Sequence, residues 1–295
     1  MDDTAKLVTI TDRLESEIND NLVSEPAPNF TLNQQHSRRR TKSILYNLGV
    51  GAIIPVLTLV LWQVAGYLGW ISDEFLPTPI SIASTFANLI GSGELLRHLE
   101  ISMGRAMLGF VIGGALGLLC GILTGLFRKL EYIFDPSIQV LRLVPHLAIA
   151  PLIILWFGFS ETSKVVIILS GSFFPMYVQA FMGVRQLDPK LFEVGSVLGF
   201  GAFDRLRRLI LPAALPNILL GLRLSLAVAW IGLVVAEVIG SQSGIGFLIN
   251  EAKQNSNTEV IFVGIVVFAI VGVVIDFLYR FIEHRCLAWR ESYKG

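Results

Sequence analysis

The chain has 295 residues, of which 53% are hydrophobic and only 16% charged, and its mean hydropathy is +0.66. A water-soluble domain carries about 25% charged residues, so much of this surface faces something other than water. The formal net charge is zero, which gives no basic bias toward nucleic acid.

In chain order, the first 37 residues come as an acidic stretch, part of a tail expected over residues 1–40. Asp2, Asp3, Asp12, Glu15, Glu17, Asp20 and Glu25 stand against Lys6 and Arg13. Little there can form a core, so a disordered, solvated tail is expected. It is too long and too acidic for the n-region of a secretory signal, so the apolar run that follows is read as a retained anchor. A membrane helix needs about 20 mostly apolar residues. Six spans meet that requirement: Ile44–Leu68, Ile101–Phe127, Ile138–Phe159, Val165–Met182, Ile218–Ile239 and Val260–Ile282. Pro55 interrupts the first, and Pro145 and Pro151 interrupt the third. Proline is tolerated there when neighbouring helices or water satisfy the freed carbonyls.

Lysines and arginines set the orientation. One side holds Arg38, Arg39, Arg40, Lys42, Arg128, Lys129, Arg185, Lys190, Arg205, Arg207, Arg208, Arg280, Arg285, Arg290 and Lys294. The other holds Arg97, Lys164 and Lys253. The richer side is expected to be cytoplasmic, with both termini inside. The connection Ile71–Glu100 then lies outside. Its Leu76-Pro77-Thr78-Pro79 segment cannot continue a helix, and Ile80 to Ile90 predicts a short one on the membrane surface.

Gly109, Gly113, Gly117, Gly121 and Gly125 share one face of the second span. Such a face allows close backbone approach, either as fixed packing or as a sliding surface. Between spans four and five lies a long connection, residues 183–217, against a usual 2–8 for helix pairs. Asp188 suits an N-cap, Pro189 the first helical turn, and Gly199 a helix end. A second short helix is expected from Phe203 to Leu211, closed by Pro212. Leu191, Phe192, Val194 and Leu198 give the first short helix an apolar face, which either rests on lipid or docks in another protein.

The order Glu193-Val194-Gly195, then Gly199, then Leu209 and Leu211-Pro212 resembles the cytoplasmic signature of binding-protein-dependent ABC importer permeases. In that family the signature reads Glu-Ala-Ala, glycine, Ile-x-Leu-Pro, so this chain departs at Val194, Gly195 and Leu209. Further segments match in order: Gly93-Glu94-Leu95-Leu96-Arg97-His98, Val144-Pro145-His146-Leu147-Ala148, Trp156-Phe157-Gly158, Val235-Ala236-Glu237 and Ser243-Gly244-Ile245-Gly246. Together they look like the nitrate/sulfonate/taurine branch, and most like its aliphatic sulfonate permeases. The resemblance covers Gly93 to Trp289 and implies an all-α membrane protein built as a type I importer bundle. It implies a permease domain over residues 41–290 and a short cytoplasmic tail at 291–295. Residues 183–217 become the coupling loop, with Asp188, Pro189, Phe192, Glu193, Gly195, Gly199, Leu211 and Pro212 as its key positions. The implied partners are two ABC ATPase subunits, a second permease copy in a homodimer, an extracytoplasmic substrate-binding protein and the lipid bilayer. The implied location is a bacterial inner membrane. The substrate is expected to be an aliphatic sulfonate, with nitrate, bicarbonate and taurine as alternatives.

No Gly-x-x-x-x-Gly-Lys-Ser/Thr loop and no His-Glu-x-x-His pair occurs. No catalytic role, metal or cofactor is therefore expected in this chain. Cys120 and Cys286 fall in unlike settings, so a disulfide between them is not expected. A stand-alone secondary transporter would favour inverted repeats and midplane ionisable groups. Here no repeat is visible, and Arg105, Arg142, Arg223, Glu237 and Asp276 fall near span ends. Asp276 suits a pair with Arg280 one turn on. Arg105 or Arg142 either pairs within the bundle or helps an anion cross. His146 either adds a donor or satisfies backbone freed by Pro145. Trp156 either constricts the path or anchors at the interface.

Overall fold

The computed structural model describes residues 53–288. The acidic tail, the start of the first span, and residues 291–295 lie outside the described residues. Every regular element described is helical: α1 Ile53–Tyr67, α2 Pro79–Gly91, α3 Glu94–Leu126, α4 Arg128–Leu141 and α5 Ala150–Phe157. Then come α6 Glu161–Arg185, α7 Pro189–Val197, α8 Ala202–Gly240, α9 Ile245–Gln254 and α10 Thr258–Cys286. Among the described residues, α3, α6, α8 and α10 are long and apolar enough to cross a membrane. Their outward faces are apolar: Val273, Phe277 and Phe281 of α10 are exposed, as are Val111 and Leu119 of α3. Such faces suit hydrocarbon rather than water.

α6 is the central helix, packed between α3 and α8. The glycine face of α3 explains the α3–α6 contact. A Cβ at Gly121 would lie 2.5 Å from the Tyr177 carbonyl oxygen and 2.8 Å from Ala180 Cβ, and one at Gly109 would lie 2.6 Å from Ile168 Cβ. At Gly113 and Gly117 it would strike the carbonyls of Leu169 and Phe173. Carbonyls of α6 thus occupy the space that side chains of α3 would fill. This is close backbone packing of the small-residue kind. On the other flank, Ser225 Oγ of α8 donates to the Ser172 carbonyl of α6 at 2.8 Å.

The two short helices behave differently from a single third span. Pro145 prevents Ile138–Phe159 from forming one rod, and helical structure stops between Leu141 and Ala150. Alone, α4 and α5 reach about 21 and 12 Å, short of the ~30 Å hydrocarbon thickness. Pro212 does not end a short helix: α8 runs through it and is 39 residues long in all. A π turn at Leu206–Ile210 precedes the proline. Pro212 has no N–H and its ring crowds the carbonyl four residues back, and the widened turn relieves both problems.

At the end of the bundle opposite α7, α2 docks on α10. Glu259 accepts from Thr85 Oγ1 at 2.6 Å and from Ser81 Oγ. Ile82, Leu95, Ile245, Leu248, Val263 and Val267 form one buried cluster beneath them.

Candidate functional site

Three places gather polar chemistry. The first joins the start of α6, the first turns of α3 and the end of α8. Arg105 is 5% exposed and Glu237 fully buried. Arg105 Nη1 donates to Glu237 Oε1 at 2.8 Å, while Nε and Nη2 form a two-point contact with Glu161 at 2.6 and 2.7 Å. Its remaining donors reach the Ser243 carbonyl at 2.6 Å, Ser243 Oγ at 2.8 Å and Ser241 Oγ at 3.0 Å. Glu237 also accepts from Ser102 Oγ at 2.8 Å and from the Gly246 amide at 2.9 Å. Lys164 Nζ completes the set by donating to Glu161 Oε1 at 2.8 Å. Two cations therefore face two carboxylates, and the buried charges are paired as a low-dielectric interior demands.

The same cluster shapes the turn between α8 and α9. The Gly244 amide donates to His98 Nδ1 at 2.9 Å, and the Ile245 amide to Ser102 Oγ at 2.9 Å. Gly244 has φ of +106°, and any Cβ there would collide with the Glu237 carboxylate. Only glycine fits both demands. Arg105 spends its N–H groups within this cluster, which is the pairing within the bundle that its place near a span end suggests. Glu161 was not singled out in the sequence, although Ser160 caps α6 just before it.

The second place is the break between α4 and α5. Arg142 caps α4 and His146 follows Pro145 in the non-helical segment. Trp156 does not join them. It sits in the last turn of α5 and is 68% exposed, which fits an interface anchor.

The third place is α7. Asp188 Oδ1 accepts from the Lys190 amide at 2.9 Å, and Pro189 opens the helix. At the other end Gly199 has φ of +68°. The Phe200 amide donates to the Gly195 carbonyl at 2.9 Å and the Gly199 amide to the Ser196 carbonyl at 3.1 Å. That paired arrangement is the left-handed helix stop that glycine allows. Gly195 is buried, and a Cβ there would lie 2.8 Å from Leu209 Cδ1. Two of the three departures from the family signature therefore touch: the missing methyl at Gly195 makes room for Leu209. Phe192 (39%), Val194, Val197 (88%) and Leu198 are exposed. Glu193 makes no ion pair or side-chain hydrogen bond among the described residues. Leu211 and Pro212 lie in the first part of α8, just past the π turn.

The family described as "Binding-protein-dependent transport system inner membrane component" matches residues 113–287. The chain belongs to this family. It is a membrane-embedded permease subunit of an ABC importer. It is 51% identical, over 263 residues, to the "Putative aliphatic sulfonates transport permease protein SsuC" of Bacillus subtilis (strain 168), covering 89% of this chain and 95% of that protein. It is 34% identical over 268 residues to the "Taurine transport system permease protein TauC" of Escherichia coli (strain K12), covering 88% and 97%. In fold it is similar to the inward-facing MetNI methionine ABC transporter, with a TM-score of 0.57 at 17% identity, over 65% of this chain and 95% of that one. An amino acid ABC transporter crystallised with histidines gives the same TM-score at 20% identity, covering 68% and 98%. The permease reading sets aside a stand-alone secondary transporter.

Proposed function

We propose that this permease carries aliphatic sulfonates inward, powered by a separate ATP-hydrolysing subunit that docks on α7. The 51% identity to the Bacillus subtilis aliphatic sulfonates permease over nearly the whole chain carries the substrate class. Taurine is itself a sulfonate with an added amine, so the likeness to the Escherichia coli taurine permease favours the same headgroup. Nitrate and bicarbonate are the remaining alternatives. In this reading the chain crosses the membrane six times, with α4, the break and α5 making the third crossing. Both termini lie in the cytoplasm of a bacterial cell, as the lysine and arginine bias requires.

The coupling role of α7 is supported by its construction. Its ends are fixed by Asp188 and Gly199, its buried side rests on Leu209, and its exposed side carries Phe192, Val194 and Leu198. Exposed apolar residues on a rigid, capped helix suit a groove in a partner. Leu211 and Pro212 then pass any displacement of α7 into α8. The permease works as a homodimer with two ATPase subunits and receives substrate outside from a binding protein. Proteoliposomes holding the permease, its ATPase and its binding protein test the whole reading. ATP-dependent uptake of an alkanesulfonate, above that of nitrate and bicarbonate, is the expected result. Preference for nitrate or bicarbonate would replace the substrate assignment, and uptake without ATPase would end the coupling account.

A further inference from the structure

We propose that Arg142, Gln179 and His146 form a two-level anion passage along the seam between α6 and α8; this rests on the sulfonate reading above. The lower level is a cleft of about 250 Å³ where Arg142 and Gln179 meet Phe174, Pro175, Val178 and Leu224. The upper level lies one turn further along. There the His146 ring packs on Gly171, where a Cβ would sit 3.2 Å from His146 Nε2 and 3.2 Å from Val228 Cγ1. The steps agree on all three walls. Arg142 to His146 and Leu224 to Val228 are four residues each, and Pro175 to Gly171 is four residues in the opposite direction on the antiparallel helix. One helical turn separates the levels on α6 and α8, and the non-helical segment after α4 carries Arg142 and His146 alongside them.

Among the described residues none of these three side chains has a polar partner; Arg142 is exposed, and His146 and Gln179 are half-buried. His146 Nε2 is buried without a hydrogen-bond partner. Among the described residues, Arg142 makes no ion pair and the Gln179 amide no hydrogen bond. Leaving the buried His146 Nε2 unpaired costs about 1–3 kcal/mol, whereas the buried groups of the Arg105 cluster are paired. Gly171 leaves room for the imidazole ring, and Gln179 is held against Gly221, where a Cβ would lie 2.9 Å from Gln179 Cβ. The rest of the lower cleft is lined by apolar side chains. A guanidinium, an amide and an imidazole in an apolar wall offer charge-assisted and neutral donors to an oxyanion that has shed water. A sulfonate headgroup has three acceptor oxygens and one negative charge, which suits donors arriving from separate helices.

The test uses the complete transporter in proteoliposomes, with alkanesulfonate, taurine, nitrate and bicarbonate offered in turn. For whichever anion the wild type carries, Arg142→Gln is expected to lower uptake on the order of tenfold or more. Arg142→Lys is expected to restore most of it, and Gln179→Leu to cost a smaller factor. Thermal unfolding of the purified complex serves as the folding control. Equal uptake by wild type and Arg142→Gln overturns the passage while leaving the importer reading intact. Failure of Arg142→Lys to restore transport in a folded complex also overturns it. If the wild type carries only uncharged solutes, the sulfonate reading and the passage both fall.

Discussion

The Arg105 cluster and α7 stand at opposite ends of the bundle and solve opposite problems. At the first, the buried cation spends every N–H on a carboxylate, a hydroxyl or a carbonyl, and the fully buried Glu237 is matched by three kinds of donor. At the second, the backbone is tied at both ends but Phe192, Val194, Val197 and Leu198 face outward with nothing upon them among the described residues. One end is complete within the chain. The other is a capped helix with an exposed apolar face, which the proposed function assigns to a partner. Substitutions at the first should therefore damage folding, and substitutions at the second should damage transport while sparing the fold.

The largest loss of stability is expected from Arg105→Met, which strands Glu237 as an unpaired buried charge at a cost of about 3–5 kcal/mol. Little folded permease should remain in the membrane by detergent thermal-shift measurement. Adding Glu237→Leu should recover part of that loss, because the stranded charge is then gone. A protein insensitive to Arg105→Met would break the comparison at its strong end. Next comes Gly121→Val, whose side chain meets the Tyr177 carbonyl and Ala180. Overpacking of this kind costs about 1–3 kcal/mol, read as a lowered unfolding midpoint. Gly199→Ala is smaller. Nothing lies within 4 Å of the added Cβ, so only the φ of +68° is strained, by about 1–2 kcal/mol and confined to the end of α7. Transport should fall more than global stability does.

How far the sequence could be read followed the range of the interactions. Asp188, Pro189 and Gly199 announce α7 through rules that act within one helical turn. The Asp276–Arg280 pair is likewise local, and it forms at 2.7 Å. Arg223 also reaches Asp276, at 2.9 Å from 53 residues away, which no spacing rule reveals. Arg105 bonds Glu161 across 56 residues and Glu237 across 132, so charge near a span end suggested pairing without naming the partners. Pro212 looked like a helix end because a proline deletes one hydrogen bond. Only the three-dimensional turn at Leu206–Ile210 shows how α8 continues through it. Gln179 carried no signal at all, since an isolated glutamine in an apolar helix has no pattern around it.

The smallest expected effect on folding belongs to the most direct test. Phe192→Ala and Glu193→Ala change exposed side chains on α7 and should alter stability by no more than about 0.5 kcal/mol. The decisive measurement is ATP-driven alkanesulfonate uptake by these variants, together with ATP hydrolysis by the same reconstituted transporter. Uptake should collapse while the permease remains folded in the membrane, and hydrolysis should no longer respond to the loaded binding protein. Wild-type uptake with a wild-type hydrolysis response in both variants would contradict the assignment of α7 as the attachment point of the ATPase.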